Sequence, residues 1–210
     1  MTRTRVSPLR AVMRFVASVM MMSGALLIVD AGATLLWQEP LSALLAQRKQ
    51  AQLEDALASP PRRVLERRPL PGDAIGRIRI AAIHVDRYLV EGTDRDNLRK
   101  GPGHYPSTPL PGSRGTSAIA GHRTTYGAPF RHIDDLKRGE RILIDMPSGR
   151  YVYRVERTKV VAPTDLSILH RVRYDRLVLS ACHPLYSAAQ RIVVLARFVR
   201  REAARVKRRS

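Results

Sequence analysis

Cysteine is almost absent from this chain. Its one thiol, Cys182, excludes any internal disulfide and is either buried packing or a reactive group. Acidic residues are also scarce, with 18 Asp and Glu against 37 Lys and Arg, and the formal net charge of +19 is extreme for a globular domain. Much of that excess lies outside any domain core: residues 59–72 hold four basic residues against one acidic, and residues 197–210 hold seven against one. Such a balance invites nucleic acid as a partner, but basic flanks beside an apolar segment more often meet anionic headgroups or wall polymers. No internal repeat is present, and among cysteines and histidines no close pair at zinc-ligand spacing occurs other than Cys182 and His183, adjacent side chains that rarely chelate together. Asp134 and Asp135 alone do not make a calcium site.

What is present begins at the N-terminus. Arg3, Arg5, Arg10 and Arg14 precede the run Phe15–Trp37, which only Asp30 interrupts. At about 1.5 Å per residue this run reaches roughly 34 Å, enough to cross a hydrocarbon core of about 30 Å. The reading is a single-pass membrane anchor at 15–37, with the basic residues 1–14 cytoplasmic and the rest of the chain outside. A cleaved signal peptide competes with it, because the uncharged part ends at Val29 and Ala31-Gly32-Ala33 has the form of a cleavage site. Pro40–Ala58 reads as a short helix carried by Leu41, Leu44, Leu45, Leu53 and Leu57, and serves as a stalk. The four prolines and four arginines of Ser59–Gly72 predict an extended, solvated linker, so that 38–72 forms stalk plus linker.

From Asp73 the texture changes to short apolar alternations between Gly, Pro and charged turns, the pattern of a mainly β barrel or sandwich. Strands are predicted at Gly76–Ala81, Val85–Glu91, Thr116–Ala120, Arg141–Asp145, Tyr151–Val161, Arg176–Ala181 and Arg191–Val199, with short helices at Pro129–Leu136 and Thr164–Leu169. Lys100–Gly115 is too rich in Pro and Gly for either regular element and reads as a long functional loop. This places a domain at 73–199 and a basic tail at 200–210.

Cys182 leaves one predicted strand and Arg191 opens the next, while His122 leaves a third after TSAIAGH. A thiol becomes a good nucleophile as thiolate, which a nearby imidazole or guanidinium favours. In the reading that follows, Cys182 attacks a carbonyl, His122 gives a proton to the leaving amine, and Arg191 holds the oxyanion or positions the substrate. A zinc site of Cys182, His122 and a further histidine is the competing reading. Weaker candidates for peptide contact are Thr124, Thr125 and Tyr126 after the histidine, His104 and Tyr105 in the long loop, and Tyr186 after the cysteine. The order, histidine before cysteine, does not match a papain-like enzyme.

The segments AIAGHRTTYGAPF around His122, LVLSACHPLYSAAQR from Leu177 to Arg191, and EGTDRDNLRKGPGHYP from Glu91 to Pro106 together resemble the class E sortases. These are cysteine transpeptidases of Gram-positive bacterial surfaces. The resemblance covers about Gly72–Val199 and implies an eight-stranded sortase-type β-barrel. By it, Cys182 cleaves an LAxTG- or LPxTG-type sorting signal after its threonine, forms a thioacyl enzyme, and passes the surface protein to an amine of a peptidoglycan precursor. No metal or other cofactor and no nucleic-acid partner are implied. One departure stands out, because many sortases have threonine before the cysteine and this chain has Ala181. A thiol peptidase that only hydrolyses, and a membrane-tethered module that binds polyanions, are the competing functions.

Overall fold

The computed structural model describes residues 8–36 and 40–202. The first unit holds helix α1, Pro8–Leu36, whose stretch Leu9–Ala33 is long and apolar enough to cross a membrane. It begins seven residues before the predicted Phe15 and takes in Arg10 and Arg14. Trp37, Arg3, Arg5 and residues 203–210 of the predicted basic tail lie outside the described residues.

The second unit begins with α2 (Pro40–Ala58), followed by a single turn, α3 (Arg62–Leu65). Eight strands then follow: β1 (Ala74–Ile80), β2 (Val85–Glu91), β3 (Gly103–His104), β4 (Thr116–Ala120), β5 (Arg141–Met146), β6 (Gly149–Val161), β7 (Arg176–His183) and β8 (Gln190–Glu202), with α4 (Arg95–Leu98) between β2 and β3. They close into a barrel in the order β1-β2-β3-β4-β7-β8-β6-β5. All neighbours are antiparallel except β2/β3 and β4/β7.

The barrel exists because alternate residues of these strands are apolar. Ile78 and Ile80 of β1, Ile142 and Ile144 of β5, Leu177 and Leu179 of β7, and Val194 of β8 fill its interior, fully buried. Full burial of such a side chain contributes roughly 1.5–3 kcal/mol. β7 is apolar on both faces, since Val178 packs outward against Ala118, Val193 and Leu195 under a cover that includes Ile168 and Leu169. A strand paired on both edges and covered on both faces reads as a continuous apolar run, as Leu177–Leu179 does.

Several expectations are corrected. Lys100–Gly115 contains the two-residue strand β3, which pairs Val90 with Gly103 and Gly103 with Ala120 and so completes the barrel. Glycine permits it, because a Cβ on Gly103 would lie 2.1 Å from the Gly92 carbonyl oxygen. The helices predicted at Pro129–Leu136 and Thr164–Leu169 shrink to 3₁₀ turns at Ile133–Asp135 and Leu166–Leu169. α4 was not expected; Asp94 caps it by accepting from the amides of Asp96 and Asn97, both at 3.1 Å.

The linker and stalk also differ from expectation. Ser59–Gly72 is not simply extended: it turns through α3, buries Val64, and sends Arg67 to the hydroxyl of Ser113 and the carbonyl of Pro111. α2 lies against the barrel rather than standing as a stalk. Its inward face is Ser42, Ala46, Gln50 and Leu53, whereas Leu44 and Leu45 point to solvent. That face follows the i, i+4, i+8, i+11 rule but is too polar at Ser42 and Gln50 to be seen as an apolar stripe.

Candidate active site

Parallel pairing of β4 with β7 sets Ala120 opposite Ser180. Two residues further along each chain come His122 and Cys182, and the amide of Gly121 extends the ladder by donating to the Ser180 carbonyl at 3.0 Å. Side chains alternate with period two, so Cys182 leaves β7 on the face opposite Leu177, Leu179 and Ala181, while His122 follows the end of the neighbouring strand about 4.8 Å away. The antiparallel partner supplies the third group, since Cys182 is paired with Arg191 in the β7/β8 ladder. His122, Cys182 and Arg191 line one cavity of about 210 Å³, whose other walls include Thr93, Leu98, Tyr105 and Ser180.

The loop after His122 is tightly held. Its carbonyl accepts from the Phe130 amide at 2.9 Å, and a Cβ on Gly121 would lie 2.5 Å from the Phe130 ring, so glycine is required for the chain to turn beside that ring. Tyr126, Gly127 and Ala128 all have left-handed backbone, with φ of 52°, 72° and 38°. This turn brings the Tyr126 ring to 5.1 Å from the imidazole of His122. Arg99, at the end of α4, donates to the Tyr126 hydroxyl at 3.1 Å.

Burial, and then the positive charge of Arg99, push the His122 imidazole below the ordinary histidine value. It is therefore neutral at pH 7 and able to accept a proton. Its Nε2 is buried and makes no hydrogen bond among the described residues, which leaves that nitrogen available to the cavity. Cys182 is half-buried. Arg191 spends Nη1 on the carbonyls of Ala188 and Gln190, at 3.0 and 2.9 Å, which fixes the guanidinium on the β7/β8 loop. A nucleophile, a neutral base and an anchored cation facing one cavity can carry out acyl transfer.

The sortase-domain family model matches residues 78–199. The chain belongs to the sortase family. Sortase D of Bacillus subtilis is 34% identical over 118 residues, covering 56% of this chain and 58% of that protein. Sortase SrtE1 of Streptomyces coelicolor is 29% identical over 147 residues, covering 61% and 41%. The chain thus spans less than two thirds of the length of these curated relatives. Among solved structures, sortase E of Streptomyces avermitilis is 27% identical with a TM-score of 0.60, covering 64% of this chain and 93% of that one. The sortase D5 transpeptidase of Clostridium perfringens, at 24% identity and a TM-score of 0.64, covers 74% and 99% and shares the fold.

In this sortase the weaker candidates separate. Tyr105 lines the cavity and Tyr126 packs on His122. Thr124 and Thr125 are half-buried in the His122 loop and are not part of the cavity wall. Tyr186 is exposed at the rim of the β7/β8 loop, with its hydroxyl 3.5 Å from Nη2 of Arg131. His104 is corrected. It is 1% exposed, with Nδ1 on Glu91 at 2.9 Å and Nε2 on Thr108 and the Pro109 carbonyl at 3.1 and 3.2 Å, so it knits β3 to β2 and does not face Cys182. Two larger cavities, each about 360 Å³, lie beside Arg77 and α2 and beside Arg67 and His104, and neither is lined by Cys182 or His122. Size does not make them the reacting site.

Arg123 escaped the sequence reading. Its side chain is 1% exposed, pairs with Asp134 at 2.6 Å, donates to the Arg131 carbonyl at 3.1 Å, and reaches the Cys182 carbonyl at 3.5 Å and His183 Nδ1 at 3.3 Å. It ties the histidine loop to the cysteine strand. The only sequence signal was an arginine directly after the histidine, and nothing in its spacing marks it as buried.

Proposed function

We propose that this sortase is a membrane-anchored cysteine transpeptidase of extracytoplasmic surface proteins. The observation that carries the reading is the shared register of Ala120 with Ser180, two residues beyond which His122 and Cys182 line one cavity with Arg191. Cys182 Sγ attacks the threonine carbonyl of a sorting signal while its proton passes to neutral His122. Arg191 stabilises the oxyanion. The C–N bond then breaks as His122 returns the proton to the leaving glycine amine, and the acyl group stays on sulfur. An acceptor amine of a peptidoglycan precursor attacks the thioester, its proton passes to His122, and the departing thiolate takes that proton back.

Within the family we read the chain as E-type, on the segments around His122 and Cys182, with an LAxTG-type signal as first choice. The identity with a sortase D makes the D-type signals the natural comparison set. We further propose that α1 spans the membrane with its N-terminus cytoplasmic, which the arginines at positions 3, 5, 10 and 14 support.

The test incubates the full chain in detergent with LAxTG and LPxTG peptides and candidate amines, and identifies products by mass. Peptide–amine adducts that vanish in Cys182→Ala support the reading. Cleavage without adducts makes the protein a thiol peptidase. Cleavage that persists in Cys182→Ala overturns both.

A further inference from the structure

α2 touches the turn that carries Tyr126 and the residue that follows Arg99, the two groups beside the His122 imidazole. At its N-terminal end, Ser42 Oγ accepts from the Tyr126 amide at 3.4 Å and Ala46 lies 3.7 Å from where a Cβ on Gly127 would stand, so the helix seats on the left-handed turn that holds the Tyr126 ring against His122. One helical turn on, the Gln50 side chain pairs with β2 as a strand would. It accepts from the Tyr88 amide at 2.7 Å and donates to the Tyr88 carbonyl at 3.0 Å. The same Nε2 donates to the Lys100 carbonyl at 2.8 Å, next to Arg99. Gly101 makes the room, because a Cβ there would lie 2.3 Å from Gln50 Nε2. Below it, Leu53 buries itself with Ala74 and Val90.

Neither Tyr126 nor Arg99 is fixed by the barrel alone. Tyr126 sits on a turn three of whose residues have left-handed backbone, and Arg99 follows a helix of one turn. Such elements hold a geometry only when something over-determines it. α2 holds the Tyr126 backbone through Ser42 and the Lys100 carbonyl, one residue after Arg99, through Gln50, with a small side chain and one of fixed amide geometry rather than with its leucines.

We propose that α2, the segment immediately following the apolar N-terminal helix, is a brace for the catalytic loop, with Gln50, Ser42 and Ala46 acting as positioning residues for His122 through Tyr126 and Arg99. The proposal rests on the sortase reading of His122 and Cys182 and adds that the barrel without its juxtamembrane helix is an impaired catalyst. A misplacement of about 1 Å at a catalytic group costs on the order of a hundredfold in rate, so a loosened brace is expressed in turnover before it is expressed in folding.

The titratable and charged groups around His122 are Arg99 from α4, Tyr105 from the loop after β3, Tyr126 from its own loop, Cys182 from β7 and Arg191 from β8. α2 contributes no charge to this set, so releasing it alters His122 through position and burial alone. Loosening exposes the ring and relieves the burial that lowers its pKa, and the midpoint moves up toward the ordinary histidine value.

The experiment uses the full chain in detergent micelles and compares the parent with Gln50→Ala and with Gln50→Ala/Ala46→Gln. Hydrogen exchange at the Tyr88 amide reports release of α2, NMR follows the His122 titration, and steady-state rates are taken with the sorting-signal peptide. The expected result is a loss of about tenfold in kcat/KM carried mainly by kcat, with the His122 midpoint raised and the β7 and β8 amides still protected. A faster-exchanging Tyr88 amide with an unchanged His122 midpoint and unchanged kcat overturns the proposal. Ser42→Ala, which removes the hydroxyl that accepts from the Tyr126 amide, serves if the double variant unfolds, and it must shift the midpoint in the same direction. The NMR titration needs no substrate: a parent chain that turns over no peptide counts against the sortase reading, while the midpoint still decides for or against the brace.

Discussion

Arg123 and Asp134 form an ion pair of 2.6 Å in which the arginine side chain is 1% exposed and the aspartate 44% exposed. The asymmetry decides what each mutation does. Asp134→Asn leaves Arg123 its bonds to the Arg131 carbonyl and admits water on the exposed side, so the expected loss of stability is about 1 kcal/mol. Arg123→Met strips the Arg131 and Cys182 carbonyls of their donor and removes the tie between the histidine loop and β7, with an expected loss of about 3 kcal/mol. Denaturant titration of the two variants checks the order, which is reversed if the pair is a surface feature.

His122 gives a pH dependence with a definite sign. Its folded pKa is lowered, so the folded state binds fewer protons than the unfolded state just below the ordinary histidine pKa of about 6.5. The protein is expected to lose stability as pH falls from that value through the lowered folded pKa, and above 6.5 this group costs nothing. The acid limb of kcat/KM is expected to lie below 6.5 for the same reason. Arg99→Gln removes the second cause of the lowering, and the limb is expected to move to higher pH while the burial component persists. Rates measured across the acid range in parent and variant test both statements.

His104→Ala is expected to damage the fold and spare the chemistry. It leaves Glu91, 4% exposed, as a buried carboxylate without its partner, and opens space at the two-residue strand. A loss of about 3 kcal/mol in unfolding free energy is expected, with kcat per folded molecule within about twofold of the parent. A large fall in kcat at unchanged stability would return His104 to the substrate-binding set.

Arg191→Lys keeps the charge but loses the planar guanidinium, in which Nη1 holds the Ala188 and Gln190 carbonyls and the other nitrogens remain for substrate. The expected outcome is a fall in kcat on the order of a hundredfold with little change in melting temperature, since Arg191 is largely outside the core. Near-normal turnover would make the residue a loop fastener only.

Much of this molecule was legible before its fold was known, for identifiable reasons. β2 and β4 fall at Val85–Glu91 and Thr116–Ala120, as their alternation predicts, because turn residues bound each run. Cys182, His122 and Arg191 could be singled out as candidates because each stands near a strand end, and the fold brings all three to one cavity. What stayed hidden depends on contacts between distant segments. β3 is too short to have a period and is made possible by the absence of a side chain at Gly103. The docked face of α2 is built on Gln50 and Ser42, which look solvated in a sequence. His104 was assigned to a working loop by its neighbours, while its burial comes from Glu91, thirteen residues earlier. Arg123 looks like one more basic residue in a chain that has many, and only the three-dimensional arrangement distinguishes it.

The parallel pairing of β4 with β7 has a consequence for the order of events when the chain is made. Sixty residues separate His122 from Cys182, and β5 and β6 lie between them in the chain, so the imidazole meets the thiol only after the intervening hairpin has been accommodated and the barrel has shut. Contacts of this sequence separation are late and slow to form. Until β4 and β7 pair, the segment that ends at His122 and the strand that carries Cys182 are apart, and the cavity that both line does not exist. The topology thereby ties assembly of that cavity to completion of the barrel.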